Sequence, residues 1–174
     1  VVKKDISALD YGCGTGDFVE YLNHKGLNAV GYEPNEDASK IAADKTNILQ
    51  KISHKSYDVI TLFHVLEHIE DLDEILSLLY KNLRKEGVLL IAVPNHDCYD
   101  ASYYKDKWAA WDVPRHIWHF NKTGLIKTIE SRQFKHITTK PLWFDALYIS
   151  MVSEKYKKSN QIKGLIRGLL SNFK

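Results

Sequence analysis

Three glycines alternate with other residues in the segment 10–16, which reads DYGCGTG and follows a short apolar run. Because glycine has no Cβ atom, such a segment turns tightly and lets a ligand approach the main chain. A dinucleotide-binding fingerprint would place its third glycine where Asp17 stands, and it would avoid carboxylates beside a pyrophosphate. Asp10 and Asp17 therefore favour a ligand that has no phosphate and carries positive charge.

A further carboxylate, Glu33, stands 17 residues after Gly16, where a second apolar run ends in Glu33-Pro34-Asn35. An ionised carboxylate accepts two hydrogen bonds from a pair of neighbouring hydroxyl groups. The glycine segment and Glu33 together predict one binding site at the ends of two successive strands. The alternative, a plain tight turn with a solvated glutamate, does not explain why both features occur at this spacing.

Two histidines bracket a glutamate in the segment 63–69, which reads FHVLEHI. His64 to His68 matches the H-x-x-E-H zinc pattern, but that pattern belongs inside an α-helix, whereas this segment leaves a buried strand. We therefore expect no metal. His64 and His68 either hold the pocket edge by hydrogen bonding, which we favour, or act as general bases, since imidazole exchanges a proton near neutral pH.

The segment 112–120, DVPRHIWHF, is the second polar cluster. His116 is the first candidate for a catalytic base, ahead of His68 and His64, and Asp112 is placed to orient an imidazole. Arg115 is suited to pair with an anionic group of a substrate. The alternative is an aromatic lid in which His119 caps the following helix.

The elements that must position these residues alternate between strand and helix. The predicted strands are 6–9, 27–32, 48–52, 59–63, 88–93 and 134–138, and the predicted helices are 17–25, 35–44, 71–85, 122–132 and 144–158. Between 94 and 121 no regular pattern is visible. Strands that alternate with helices predict an α/β fold with a doubly wound, mostly parallel sheet whose sites lie at the carboxyl ends of the strands.

The glycine segment followed by Glu33 resembles the class I S-adenosylmethionine (SAM) dependent methyltransferases, and the segments 63–69 and 112–120 are similar to small-molecule members that methylate quinols and sugars. The resemblance implies a Rossmann-like fold, here without its last strand, with SAM as cofactor and S-adenosylhomocysteine as product. Asp10 would lie near the methionine part and Glu33 would bind both ribose hydroxyls. The residues implied to bind SAM are Asp10, Tyr11, Gly12, Gly14, Thr15, Gly16, Glu33, Pro34, Phe63 and His64.

The implied reaction is direct displacement of a methyl group from SAM by a small-molecule acceptor, such as a quinol, a sugar or a lipid-linked intermediate. Two alternatives remain: a non-catalytic SAM-binding regulatory module and an NAD-dependent dehydrogenase. The sequence departs from the family where an acidic residue often binds the adenine amine. Near the third strand it offers only Gln50, Lys51 and Ser53.

The composition bounds the partners and the compartment. The chain has 24 basic and 22 acidic residues, so no strong field favours nucleic acid. Its two cysteines, Cys13 and Cys98, make no disulfide framework, and we expect a cytoplasmic protein. The segment 155–174 is basic and amphipathic, which suits contact with a membrane surface or cover for the substrate pocket.

The length of 174 residues predicts a single domain over 1–174, and the resemblance implies that it is a methyltransferase domain. An aromatic substrate-side insertion is expected at about 95–121, and a helical C-terminal part at about 143–174. The chain starts without methionine and ends within an amphipathic pattern, so we expect both ends to be cut.

Overall fold

Five parallel strands form one sheet in the computed structural model, which describes residues 5–53 and 56–171. They are β1 (Ser7–Tyr11), β2 (Asn28–Tyr32), β3 (Ile48–Leu49), β4 (Tyr57–Phe63) and β5 (Leu83–Ala92). Their order in the sheet is β3-β2-β1-β4-β5, with every neighbouring pair parallel. The predicted parallel α/β sheet is confirmed. The chain order reverses beside β1, and such a switch point is where α/β sheets bind ligands.

Three helices connect these strands: α1 (Asp17–His24), α2 (Glu36–Ala43) and α3 (Leu72–Asn82). The side chains of Asn35 and Asp71 cap α2 and α3 by accepting hydrogen bonds from Ala38 N and Glu74 N. Gly26 follows α1 with φ 83°, the left-handed conformation in which glycine commonly ends a helix. Short-range sequence signals therefore set most helix ends in this part of the chain.

The helix predicted over 71–85 ends earlier than expected, and the strand predicted over 88–93 begins earlier, because the boundary between α3 and β5 lies between Asn82 and Leu83. Although the apolar periodicity of the helix continues through Leu83, that residue pairs with Tyr57 of β4 and begins the strand. The buried Asn82 closes the helix by donating a hydrogen bond to Leu78 O at 2.9 Å. Pairing across the sheet thus ends the helix earlier than the periodicity indicates.

The remaining elements are helical: α4 (Tyr99–Tyr104), α5 (Lys122–Glu130), α6 (Trp143–Tyr156) and α7 (Gln161–Ser171), with 3-10 turns at Lys105–Lys107 and Ala109–Trp111. The stretch predicted to lack regular structure therefore contains a helix, which Cys98 caps through Ala101 N. Asn95 and Phe120 form an isolated parallel bridge. This bridge brings the two ends of the predicted insertion together.

The predicted strand over 134–138 is wrong. These residues form no bridge to another segment among the residues that the structure describes, and Ile137 is exposed. An extended segment becomes a strand only where a neighbouring strand completes its hydrogen bonds, and the sequence cannot show whether one is present.

The chain divides into two units, Val1–Ala92 and Val93–Lys174, each with its own buried cluster. The first includes Ala8, Cys13, Val19 and Ala29; the second includes Ala101, Tyr104, Trp108 and Ala110. That 1–174 is a single domain stays a prediction. Among the described residues, no helix is long and apolar enough to cross a membrane.

One carboxylate, that of Asp58, joins the amino ends of three strands in the first unit. Its Oδ2 atom accepts hydrogen bonds from Ser7 N at 2.9 Å, from Ser7 Oγ at 3.1 Å and from Arg84 Nη1 at 2.7 Å. The bond from Ser7 N and the Arg84 guanidinium lower the pKa of Asp58 from its ordinary value of 3.8 to about 2. The ionised carboxylate is therefore the form that stabilises the fold.

Replacement of Asp58 by asparagine should change the acid sensitivity of the protein. Because the pKa is lowered on folding, the stabilisation is present above about pH 4 and is lost as the pH falls towards 2. We expect D58N to have a lower Tm than wild type at pH 7 and a flatter fall in Tm between pH 4 and pH 2, measured by circular dichroism. Asp37→Asn, at an exposed carboxylate of α2, should show the same fall in Tm between pH 4 and pH 2 as wild type. An equal fall in D58N and wild type would contradict the role of the ionised Asp58 in stability.

Candidate functional site

The glycine segment lies between β1 and α1, at the edge where the parallel strands end. In the register of the sheet, Asp10 stands beside Gly31 of β2 and Thr61 of β4. Gly12 N and Cys13 N both donate hydrogen bonds to Tyr32 O, at 2.7 and 3.1 Å. The turn is therefore fixed to the end of β2 as well as to β1.

Two glycines of this turn are needed for different reasons. Gly12 has φ 78°, and a Cβ atom there would lie 2.4 Å from Cγ2 of Val65. Gly14 has φ 54°, and a Cβ atom there would meet no atom within 4 Å. Gly12 thus allows close packing against Val65, whereas Gly14 leaves open space beside the main chain where a ligand can approach.

The Glu33 carboxylate is held beside the turn by backbone donors. Its Oε2 accepts from Gly14 N at 2.8 Å and its Oε1 accepts from Asn35 N at 2.9 Å. A carboxylate has about four acceptor positions, so two backbone bonds leave capacity for further donors. The structure therefore brings the predicted Glu33 and the glycine turn into direct contact.

The negative charge of the turn has a different source from the one that the sequence indicates. Asp10 is 5% exposed and accepts a hydrogen bond from Thr61 Oγ1 at 2.6 Å, while burial raises its pKa. Asp17 instead accepts from Lys45 Nζ at 2.5 Å, and this partner holds its pKa below the usual range. Because Lys45 offsets Asp17, the argument against a phosphate rests on Asp10 and Glu33.

Other predicted residues of the turn have packing or local roles. Burial raises the pKa of Cys13 to about 11, and its Sγ atom would lie 2.5 Å from a Cβ atom at Gly31, so the thiol fills the space that Gly31 leaves. Tyr11 packs against Tyr32 with ring centroids 5.1 Å apart. Thr15 Oγ1 donates to Asp17 Oδ2 at 2.7 Å. Gly16 precedes α1 with φ 81°, and Pro34 lies exposed after β2.

The end of β4 carries Phe63 and His64. The Phe63 ring lies 5.3 Å from that of Phe18, and the ring is partly exposed. His64 has φ 56°, its N donates to Ala92 O at 2.9 Å, and its Nδ1 lies 3.5 Å from Oε1 of the buried Glu67. This arrangement turns the chain sharply at the carboxyl end of β4.

His68 lies in a 3-10 helix of three residues, Leu66–His68, and its side chain is exposed. The zinc pattern needs both histidines on one α-helix, a turn apart. Here His64 has a left-handed backbone and stands outside the 3-10 helix. The local geometry therefore differs from that of a zinc-binding helix.

In the second unit, His116 is oriented by two groups. Its Nδ1 lies 2.9 Å from Ala110 O, and its Nε2 lies 3.7 Å from Asp112 Oδ2. Because a carbonyl oxygen only accepts, we assign the ring hydrogen to Nδ1. The carbonyl and the carboxylate together fix the orientation of the ring.

The structure gives partners within the chain to two other residues of the segment 112–120. Arg115 Nη2 donates to Asp112 Oδ1 at 2.6 Å, and its pairing with an anionic substrate group stays a prediction. His119 does not cap α5: Asn121 Oδ1 accepts from Gly124 N at 2.7 Å, while His119 Nε2 lies 2.9 Å from Trp111 O. Asparagine is the better cap because its side-chain oxygen reaches the first free N–H groups of the helix.

Sequence reasoning missed Thr61 and Val65. Thr61 is a polar residue inside the apolar run 59–63, a signal that could have identified it as the partner of the buried Asp10. Val65 has no such signal, because its contact with Gly12 depends on how the turns after β1 and β4 meet.

Known proteins resemble this chain in both sequence and fold. A profile of the methyltransferase domain family matches residues 2–139. Curated relatives named ubiquinone biosynthesis O-methyltransferase are 30% identical over 104 residues in Pelagibacter ubique and 27% identical over 103 residues in Rickettsia bellii. These matches cover 53% and 52% of this chain, and the chain spans 43% of the length of each relative.

Solved structures share the fold at low sequence identity. A SAM-dependent methyltransferase from Archaeoglobus fulgidus has a TM-score of 0.63 at 22% identity, covering 90% of this chain and 80% of that one. Another from Methanosarcina mazei has a TM-score of 0.63 at 18% identity, covering 81% of this chain and 86% of that one. The fold is that of class I methyltransferases, and because the family profile matches more than half of its length, the chain belongs to the methyltransferase domain family.

Proposed function

We propose that this chain binds SAM and transfers its methyl group to a hydroxyl group of a small molecule. The observation that carries the proposal is the Glu33 carboxylate, which Gly14 N–H holds at 2.8 Å beside the glycine turn. Family membership and the names of the curated O-methyltransferase relatives support it. A hydroxyl acceptor is proposed on the strength of those names.

The side chains and backbone of the turn fit SAM chemically. Asp10 and Glu33 supply carboxyl acceptors, and Gly14 leaves the main chain approachable. When bound, SAM supplies a methyl group on a positively charged sulfur. We propose that Glu33 binds the ribose hydroxyls and that Asp10 lies near the methionine part. The other residues proposed to contact SAM are Tyr11, Gly12, Thr15, Gly16, Pro34, Phe63 and His64.

Methyl displacement needs alignment of the reacting groups more than covalent chemistry by the protein. Holding two reactants in line contributes roughly 7–11 kcal/mol to lowering the barrier. A hydroxyl acceptor also has to lose its proton. We propose that His116 accepts it at Nε2, with Asp112 and the Ala110 carbonyl fixing the ring. His68 and His64 are the next candidates.

A second proposal concerns contact of α7 with an anionic membrane surface. Gly164 and Gly168 of α7 pack against α6, where Cβ atoms would lie 2.7 Å from the Cα atoms of Met151 and Leu147. Four apolar residues of α7 remain exposed: Ile162, Leu165, Ile166 and Leu169. Between 155 and 171 the chain has five basic residues and no acidic one, namely Lys155, Lys157, Lys158, Lys163 and Arg167. Arg167 pairs with the buried Glu154 at 3.2 Å, so the four lysines supply the charge that remains for lipid. Exposed apolar side chains beside cationic ones are typical of helices that lie on anionic lipid.

The compartment is also a proposal. Cys13 and Cys98 are both free thiols, which supports a reducing cytoplasmic environment.

Replacement of Glu33 by glutamine should weaken SAM binding. The neutral amide loses charge-assisted hydrogen bonds, which are worth about 1.5–3 kcal/mol, so the Kd for SAM should rise by about 10- to 100-fold. Isothermal titration calorimetry with SAM, S-adenosylhomocysteine and NAD measures this, with circular dichroism to check folding. The matched control Glu36→Gln lies in the first turn of α2 and should bind SAM as wild type does. Binding of NAD without either adenosyl ligand would favour a dehydrogenase and contradict the proposal.

Replacement of His116 by alanine should slow catalysis without weakening SAM binding. Loss of a general base costs about 10²- to 10⁴-fold in rate, so kcat should fall by that factor while the Kd for SAM stays within about twofold. S-adenosylhomocysteine release with a panel of quinols and sugars gives the rate, and H64A and H68A are compared in parallel. A larger fall in kcat for H68A or H64A would identify that residue, rather than His116, as the base. Absence of turnover in wild type together with SAM binding would instead indicate a regulatory module.

The membrane proposal predicts sedimentation with vesicles that contain anionic lipid. Binding should be strong at low salt and weaker at high salt, because part of the attraction is electrostatic. Ile166→Ser should reduce it, whereas Ile41→Ser, at a similarly exposed isoleucine of α2, should not. No sedimentation of wild type at low salt would remove the proposal.

A further inference from the structure

The second unit contains a cleft of about 410 Å³, lined largely by residues of the predicted aromatic insertion. Three of its seven lining residues are aromatic, two are aliphatic and two are carboxylates: Trp108, Trp111 and Tyr156, Ala109 and Val113, and Asp106 and Asp112. The volume is within the range of small-molecule sites, about 300–1,000 Å³. The aromatic and acidic lining identifies the kind of ligand that this cleft would accept.

Hydrogen bonds within the second unit fix the walls of the cleft. Trp111 Nε1 donates to Lys105 O at 2.7 Å, and Ala109 N donates to Ser153 Oγ of α6 at 2.8 Å. The rings of Trp108 and Trp111 meet edge to face with centroids 5.1 Å apart. A wall that is fixed before binding loses little conformational entropy when a ligand packs against it.

The charges argue for a neutral ligand. Asp112 already accepts from Arg115 at 2.6 Å, and Asp106 lies 3.0 Å from Lys107 Nζ. Each carboxylate of the cleft thus has its own cation, so the pair does not form an uncompensated negative site for a cationic ligand. Both carboxylates keep acceptor positions for hydroxyl donors.

The lining therefore suits a ring that has apolar faces for the aromatic side chains and hydroxyl groups that donate to the two carboxylates.

We propose that this cleft binds a neutral saccharide ring, whose hydroxyl groups donate to Asp106 and Asp112, while its C–H faces pack against Trp108, Trp111 and Tyr156. Asp112 also lies 3.7 Å from Nε2 of His116, so the cleft adjoins the proposed base. The inference rests on the proposed function and gives its acceptor as a sugar hydroxyl.

Saturation-transfer difference NMR tests binding without any methyl donor. The probes are the methyl pyranosides of glucose, galactose, mannose and N-acetylglucosamine, with catechol and tetramethylammonium for comparison. We expect at least one pyranoside to give a signal that falls at least fivefold in Trp111→Leu. The signal should persist in Trp143→Leu, which changes a partly exposed tryptophan outside the cleft lining.

A second pair of variants tests the cleft independently, so the result does not depend on the folding of Trp111→Leu. Asp106→Asn removes the charge of an exposed carboxylate of the cleft and should lower the pyranoside signal, whereas Asp97→Asn should not. The inference is overturned if no pyranoside binds, if the variants bind as wild type does, or if only catechol or tetramethylammonium binds. SAM calorimetry on the same samples separates the two proposals, because loss of SAM binding with retained pyranoside binding contradicts only the proposed function.

Discussion

The parallel hydrogen bonding of β1 between β2 and β4 is the constraint on which the first unit depends. It places Asp10 level with Gly31 and Thr61, so three strands end at one edge of the sheet. Because the carboxyl ends of parallel strands meet there, a turn after β1 contacts the residues that follow β2. The bonds from the turn to Tyr32 O and from Gly14 N to Glu33 follow directly. A change of register by one residue would separate these groups.

In the first unit, the partners of each carboxylate decide whether a nearby cation compensates its negative charge. Lys45 offsets Asp17, and Asp58 is held by Ser7 and Arg84 at the opposite ends of the strands. Glu33 is bonded by uncharged backbone N–H groups, which orient it without cancelling its charge. The proposed site for a positively charged ligand depends on this difference in partners, rather than on the number of acidic residues.

Asp112 has a comparable position in the second unit. It accepts a hydrogen bond from Arg115, lies near Nε2 of His116 and lines the aromatic cleft. Its left-handed backbone, with φ 39°, turns the chain between Trp111 and the following proline segment. One residue thus connects the orientation of a proposed base with the wall of a proposed acceptor site. Substitution of Asp112 would change both the proposed base and the cleft, whereas substitution of His116, Trp111 or Asp106 changes one of them.

The sequence by itself determined the α/β class, the glycine turn and the place of Glu33 after the second strand, because each depends on short-range patterns of residue type. Tertiary structure decided where α3 ends, since Leu83 pairs with Tyr57. It also removed the strand expected at 134–138, since no strand in the described part of the chain pairs with that segment. It also decided the partners of Asp17, Arg115 and His119. Side chains far apart in sequence compete for the same hydrogen bonds, and only the folded chain shows which contacts form.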